Sequence, residues 1–221
     1  MNNLPKCQEL FTFDSIFFKN IFSAFEHPWE IIPHIRNIIE RIIEEGAEGY
    51  ELLDKGILVG KNVTISDSAH IDSPAIIGDN CEIRHSALLR GCVILGAGCT
   101  VGNSSEIKSS ILMPGAQAPH FNYVGNSILG RKAHLGAGAI CSNLRSDGKA
   151  VSIHSGDSAV NTGLRKLGAI LGDGVEIGCG SVLCPGTIIG KSTTVYPLTL
   201  TRGVYPASSI VKDTYTVTQK Q

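Results

Sequence analysis

Aliphatic residues recur at every sixth position from Val59 through Ile65, Ile71, Ile77, Ile83, Leu89, Leu95, Val101 and Ile107 to Met113. A second register of mostly small residues follows four positions behind: Val63, Ala69, Ala75, Cys81, Ala87, Val93, Cys99, Ser105 and Ile111. Both registers therefore point inward. The period lapses near Pro114, returns at Leu129, Leu135 and Cys141, lapses again, and resumes at Leu171, Ile177, Leu183, Ile189 and Val195. Both lapses read as inserted loops. A β-sandwich would instead show period-two alternation, with closely and regularly spaced turn signals between its strands.

A six-residue repeat of an aliphatic residue, often followed by Gly, resembles the hexapeptide β-helix proteins, in which short strands and turns wind around a triangular prism. Three hexads then complete one coil, and stacked coils lie roughly 4.8 Å apart. The expected fold is mainly β: a left-handed parallel β-helix of hexapeptide repeats with an N-terminal α-helical segment. The left hand is implied by the resemblance, since parallel crossovers otherwise favour the right. Gly accounts for 25 of the 221 residues, which suits corners that need a permissive backbone. The expected boundaries are a helical segment over 1–55, the β-helix over 56–206 and a polar tail over 207–221. Between Trp29 and Glu45, Ile31, Ile35, Ile38, Ile39, Ile42 and Ile43 recur at helical spacing, opposed by Arg36, Glu40, Arg41 and Glu44. This predicts an amphipathic helix that ends before Gly46 and packs on the side or base of the β-helix, or docks a partner.

The formal net charge is −1 with no block of like charges, which argues against nucleic acid or an anionic membrane as partner. Met1 to Phe18 contains Asp14 and no small-residue cleavage site, so it does not read as a secretory signal. No apolar run approaches the length of a membrane span, roughly 18 residues. Seven cysteines, an odd number without zinc spacing, read as reduced core residues of a cytoplasmic protein, and no metal is expected. A disulfide framework in a secreted protein is the other reading.

Interruptions of a solenoid usually carry function. They hold the strings Pro119-His120-Phe121-Asn122-Tyr123, Asn143-Leu144-Arg145 and Arg165-Lys166-Leu167-Gly168-Ala169. With these strings, residues 57 to 206 resemble the acetyltransferase half of bifunctional sugar-1-phosphate uridylyltransferase/acetyltransferases, above all the archaeal-type members. In that family an Arg, a Glu-X-Lys, a His-X-X-Tyr and a loop Lys form the amino-sugar phosphate site. The matching residues are Arg90, Glu106 with Lys108, His120 with Tyr123, and Lys149, and the Arg90–Lys108 and Lys108–His120 intervals agree with the family's.

The resemblance implies acetyl-CoA-dependent N-acetylation of an amino-sugar 1-phosphate, glucosamine or galactosamine, in nucleotide-sugar biosynthesis. Arg90, Lys108 and Lys149 would neutralise a phosphate, with Tyr123 adding a hydrogen bond. His120 is the candidate general base, because an imidazole accepts a proton near neutrality, and Glu106 would orient it or steady its charge. The Ala137 amide, in the Gly136-Ala137-Gly138 corner, is the oxyanion candidate. Cys179 and Pro197, with Ala137, would line the acetyl-CoA groove. Two positions depart from the family: His134 stands where it has an Asn that holds the sugar, and Cys179 where it has a Ser. Asn143 retains the second sugar-contacting Asn. The other histidines, His27, His34, His70, His85 and His154, show no metal-ligand pairing.

A homotrimer with sites between subunits is also implied. The Gly-rich loop of the family's nucleotidyltransferase half does not occur here, so uridylyl transfer is not expected of this chain alone, and a separate nucleotidyltransferase is a possible partner. Three readings stay open: the acetyltransferase, an acyltransferase for another amine or a nucleotide-linked sugar, and a non-catalytic trimeric β-helix that binds or scaffolds around sugar phosphate.

Overall fold

Strand partners lie three hexads apart along the chain: Ile57 pairs with Ala75, Thr64 with Glu82 and His70 with Leu88. The structure is a computed structural model and describes residues 4–54, 56–156, 158–214 and 216–220. Successive strands pass to successive faces, and the three faces are sheets of nine, nine and seven strands. The first face starts with Ile57–Val59, the second with Thr64–Ile65 and the third with His70–Asp72. Pairing between coils is parallel throughout, and antiparallel strands close both ends: Glu51–Asp54 on Ile57–Val59, and Val217–Gln219 on Ser209–Val211. The segment from Ala207, expected as a tail, thus carries the last rung, in which Ile210 pairs with Thr194.

Turning a corner every few residues requires a left-handed backbone conformation, which Gly, Asn and Asp tolerate best. Asn62, Asn80, Gly98 and Gly115 take positive φ at stacked corners of one edge, where Asn62 Nδ2 donates to Asn80 Oδ1 at 3.3 Å. The prism interior is filled by the two expected registers, with Ile77, Leu89, Val101, Ile107, Leu135, Leu171 and Leu183 buried.

One expectation fails by a single position. After Ile107 the aliphatic register continues inside the prism at Leu112; Met113 and Ile111 instead join the apolar layer outside the prism. Ser110 turns inward in their place and satisfies its hydroxyl on the Lys108 and Val124 carbonyls at 2.7 and 3.2 Å. Pairing here, Val93 to Ser110 and Ile111 to Ile128, runs one position short of three hexads. The first lapse is therefore no inserted loop: Gln117–His120 and Tyr123–Gly125 are regular strands of one coil, which, like the coil before it, is one position short. The second lapse is an insertion. Ile128 pairs with Ile170, and between these rungs Ser152–Ser155 and Ser158–Asn161 form an antiparallel hairpin.

On the first face both sides of the sheet are apolar. Leu58, Ile76, Ile94, Ile111, Ile128, Ile170 and Ile188 point outward yet are buried, because the N-terminal segment and the insertion cover them. The covering segment comprises α-helices Cys7–Leu10, Ile16–Phe22 and Ile35–Glu45 and a 3-10 helix, Pro28–His34. The single helix expected from Trp29 is thus split. Pro33 has no N–H to give an α-helical ladder, so α geometry begins only at Ile35. Ile31, Ile35 and Ile39 are fully buried against the sheet, while Arg36–Glu40 and Arg41–Glu45 pair on the solvent side at 3.1 and 4.0 Å.

The insertion is seated through Val151, Ile153 and Leu167, all fully buried, and through His154. Arg202 Nη2 donates to His154 Nε2 at 3.0 Å. A guanidinium only donates, so that ring nitrogen carries a lone pair and the imidazole is neutral. Burial first, then Arg202 and Arg145, push the His154 pKa below its ordinary value.

Two outcomes are expected in urea unfolding. Ile94→Ala loses about 2–5 kcal/mol as a fully buried large-to-small change, whereas Thr64→Ala, equally outward but uncovered, stays within about 0.5 kcal/mol. A histidine with a depressed folded pKa stabilises fully above its unfolded value near 6.5, and this contribution is lost as pH falls through the folded value. Wild type should accordingly lose stability more steeply than His154→Gln between about pH 7 and 5; parallel curves would reject the His154–Arg202 anchor.

Candidate active site

In three successive strands of the third face, Leu88–Arg90, Glu106–Lys108 and Tyr123–Gly125, the middle residue is buried in the prism, so its neighbours project outward. Register sets Glu106 beside Tyr123, and Lys108 beside Gly125. Arg90 Nη1 reaches Glu106 Oε1 at 2.7 Å across the rungs. Both groups are partly solvated, so the pair adds little stability; its effect is to hold the guanidinium in place. Lys108 is pushed below the ordinary lysine value, by burial first and then by the positive charges of Arg90 and Lys166. Burial, then Glu106, raises the Tyr123 phenol, against a hydrogen bond with Asn143 and the charge of Arg90.

Gly125 makes this cluster possible. A Cβ there would lie 2.6 Å from both Asn143 Nδ2 and Tyr123 Oη. The Asn143 amide also donates to Asn126 Oδ1 at 2.7 Å, which ties the base of the insertion to the neighbouring coil. Arg90, Glu106, Lys108, Tyr123 and Asn143 are thus gathered on one patch. The patch offers cations, a phenol and an amide, a set suited to a phosphate and a sugar hydroxyl.

The remaining candidates lie elsewhere, and four of them share one edge. Gly138 N donates to the His120 carbonyl at 3.0 Å, Gly180 N to the Ala137 carbonyl at 2.9 Å and Leu198 N to the Cys179 carbonyl at 2.9 Å. His120, Ala137, Cys179 and Pro197 are therefore stacked corner upon corner between the second and third faces, and all four are exposed. Glu106 is engaged by Arg90, and no bond joins it to His120 among the described residues. His134 sits on the second face with Nδ1 3.0 Å from Glu176 Oε2. Lys149 follows a turn closed by Arg145 Nη2 on Asp147 Oδ2 at 2.6 Å, which holds the Asp147 carboxyl well below the usual range, and its own side chain is exposed.

Two contributors escaped the sequence reading of roles. Asn122 is buried, accepts from the His120 N–H at 3.0 Å and donates to the Gly136 and Ala139 carbonyls at 2.9 and 3.2 Å. It fixes the His120 corner relative to the Ala137 corner. Lys166 is the second; its charge reaches Lys108. Both lie in the segments 119–123 and 165–169, but only the register shows what they touch. Cys7, Cys81, Cys99 and Cys141 are buried free thiols, Cys92 and Cys184 are half-buried, and Cys179 is exposed. Among the described residues, no group of three or more metal-ligating side chains occurs, and no helix is long and apolar enough to cross a membrane.

No family model matches the chain. Over 91 residues it is 37% identical to a bifunctional sugar-1-phosphate nucleotidylyltransferase/acetyltransferase of Sulfurisphaera tokodaii, covering 41% of this chain and 23% of that protein. Over 117 residues it is 36% identical to the bifunctional protein GlmU of Methanococcus maripaludis, covering 52% of this chain and 28% of the relative. The chain thus spans about a quarter of the length of these curated relatives. Among solved structures, a UDP-N-acetylglucosamine acyltransferase from Campylobacter jejuni aligns over 75% of this chain and 71% of its own at 14% identity, with a TM-score of 0.43. In sequence the chain is similar to the bifunctional sugar-1-phosphate nucleotidylyltransferase/acetyltransferases, the family that its motifs resemble.

Proposed function

We propose that the protein is an acetyl-CoA-dependent N-acetyltransferase acting on an amino-sugar 1-phosphate. The observation that carries this is the patch over Gly125, where Arg90, Lys108, Tyr123 and Asn143 converge. Arg90 and Lys108 take the phosphate, and Tyr123 and Asn143 take sugar hydroxyls. His120 removes the proton that the amine loses as it attacks the thioester, and the Ala137 N–H donates to the oxygen that gains charge. Acetyl-CoA supplies the activated acyl group. The exposed corner column suits its extended arm, since Ala137, Cys179 and Pro197 follow one another along a line flanked by exposed Tyr196 and Leu198.

In one subunit the phosphate patch lies on the third face and His134 on the second, so the two point different ways. A homotrimer that sets one subunit's second-face edge against its neighbour's third face would complete the site. Exposed Ile140 and Leu200 on the third face support such packing. Seven free thiols accord with a reducing, cytoplasmic setting.

Release of CoA thiol from acetyl-CoA is expected with glucosamine 1-phosphate or galactosamine 1-phosphate, and His120→Ala should lower it by about 10²-fold or more. Binding of either sugar phosphate without thiol release would replace the enzyme with a sugar-phosphate-binding protein of the same fold. Gly125→Ala should displace Tyr123 and Asn143 and raise KM for the sugar phosphate on the order of tenfold, about 1.4 kcal/mol, in steady-state kinetics. An unchanged KM would remove that patch from the site.

A further inference from the structure

Where the N-terminal segment meets the corner following Lys108, a cavity of about 370 Å³ lies open between three parts of the chain. Arg36 and Asn37 enter from the N-terminal helix, Ser109 and Asn126 from two stacked corners, and Arg165 and Lys166 from the returning end of the insertion. We propose that this cleft binds a phosphoryl group, as a site formed by the N-terminal segment together with the solenoid.

Charge is the first reason. Three cations line the cavity and no carboxylate does. Arg36 shares its charge with Glu40, 3.1 Å away on the solvent side, but among the described residues no carboxylate pairs with Arg165 or Lys166. Lys166 also lies close enough to Lys108 for the two ammonium groups to repel. Gathering like charges in this way raises the energy of the empty cleft, and an anion of charge near −2 relieves it.

Placement is the second reason. Leu167 N donates to the Asn143 carbonyl at 3.0 Å and Gly168 N to the Asn126 carbonyl at 2.9 Å, and Lys166 bridges Leu144. These bonds lock the Arg165–Lys166 backbone over the Asn126 corner. The guanidinium forks of Arg36 and Arg165 match phosphoryl oxygens in pairs, and Ser109, Asn126 and Asn37 supply neutral donors. The phosphoryl group could belong to the acceptor sugar phosphate or to a separate phosphate anion; the chemistry of the cleft is the same for both.

The test uses the full chain carrying Arg90→Ala, which disables the patch over Gly125, and titrates it calorimetrically with inorganic phosphate. Saturable binding is expected, weakened at least about tenfold when Arg165→Ala and Lys166→Ala are added, with circular dichroism confirming the fold. Equal binding with and without those two changes, or no binding to the Arg90→Ala protein, overturns the proposal. Glucosamine 1-phosphate added to the wild-type chain, whose patch over Gly125 is intact, then distinguishes the sources: displacement of phosphate from the cleft assigns it to the acceptor, and simultaneous occupancy assigns it to a separate anion. Neither result depends on acetyl transfer, so failure of the thiol-release assay leaves this measurement intact.

Discussion

The parallel backbone ladder between coils, held at a spacing of about 4.8 Å by the aliphatic residues inside it, is the constraint from which the remaining structure follows. Because Leu89, Ile107 and Val124 sit one above another in the interior, the residues beside them are forced into rows outside. A row brings together residues that a linear reading separates by about a full coil, as Arg90 and Glu106 show. Arg90, Glu106, Lys108 and Tyr123 are thus each placed by the burial of a neighbour in sequence.

The three faces of the prism differ in what lies against them. The first is sealed by helices and hairpin, so its outward row is aliphatic throughout. The second and third stay open and carry polar groups, with His134–Glu176 on one and Arg90–Glu106 on the other. The residues proposed for acetyl transfer thereby lie on the two uncovered faces and the edge that joins them, apart from the cleft at the rim of the covered face.

Much of this was legible in the sequence. The period of six exposed the prism and set Arg90 and Lys108 one coil apart, whereas the lapse near Pro114 concealed the strand that carries Tyr123. The slip at Leu112 was not legible, because Ile111, Leu112 and Met113 are all aliphatic and composition alone cannot say which one turns inward. A signal for the helix-covered face was present in Ala75-Ile76-Ile77 and Val93-Ile94-Leu95, where three successive apolar residues exceed what a strand with one buried side needs. Lys166 and Asn122 stayed hidden for a different reason. Their partners, Lys108 and Gly136, are set by coil register across two shortened coils and a long insertion, which no fixed period anticipates.

The corner column from His120 to Pro197 is assembled from whole turns, so its length exists only in steps of one inter-coil spacing. Point mutation can alter what a step presents, as a change at Cys179 would, but it cannot add a step. Extending the column requires duplicating a coil, and shortening it requires deleting one. In such an architecture the reach of a bound ligand and the chemistry it meets change by separate genetic routes, the first by recombination and the second by substitution.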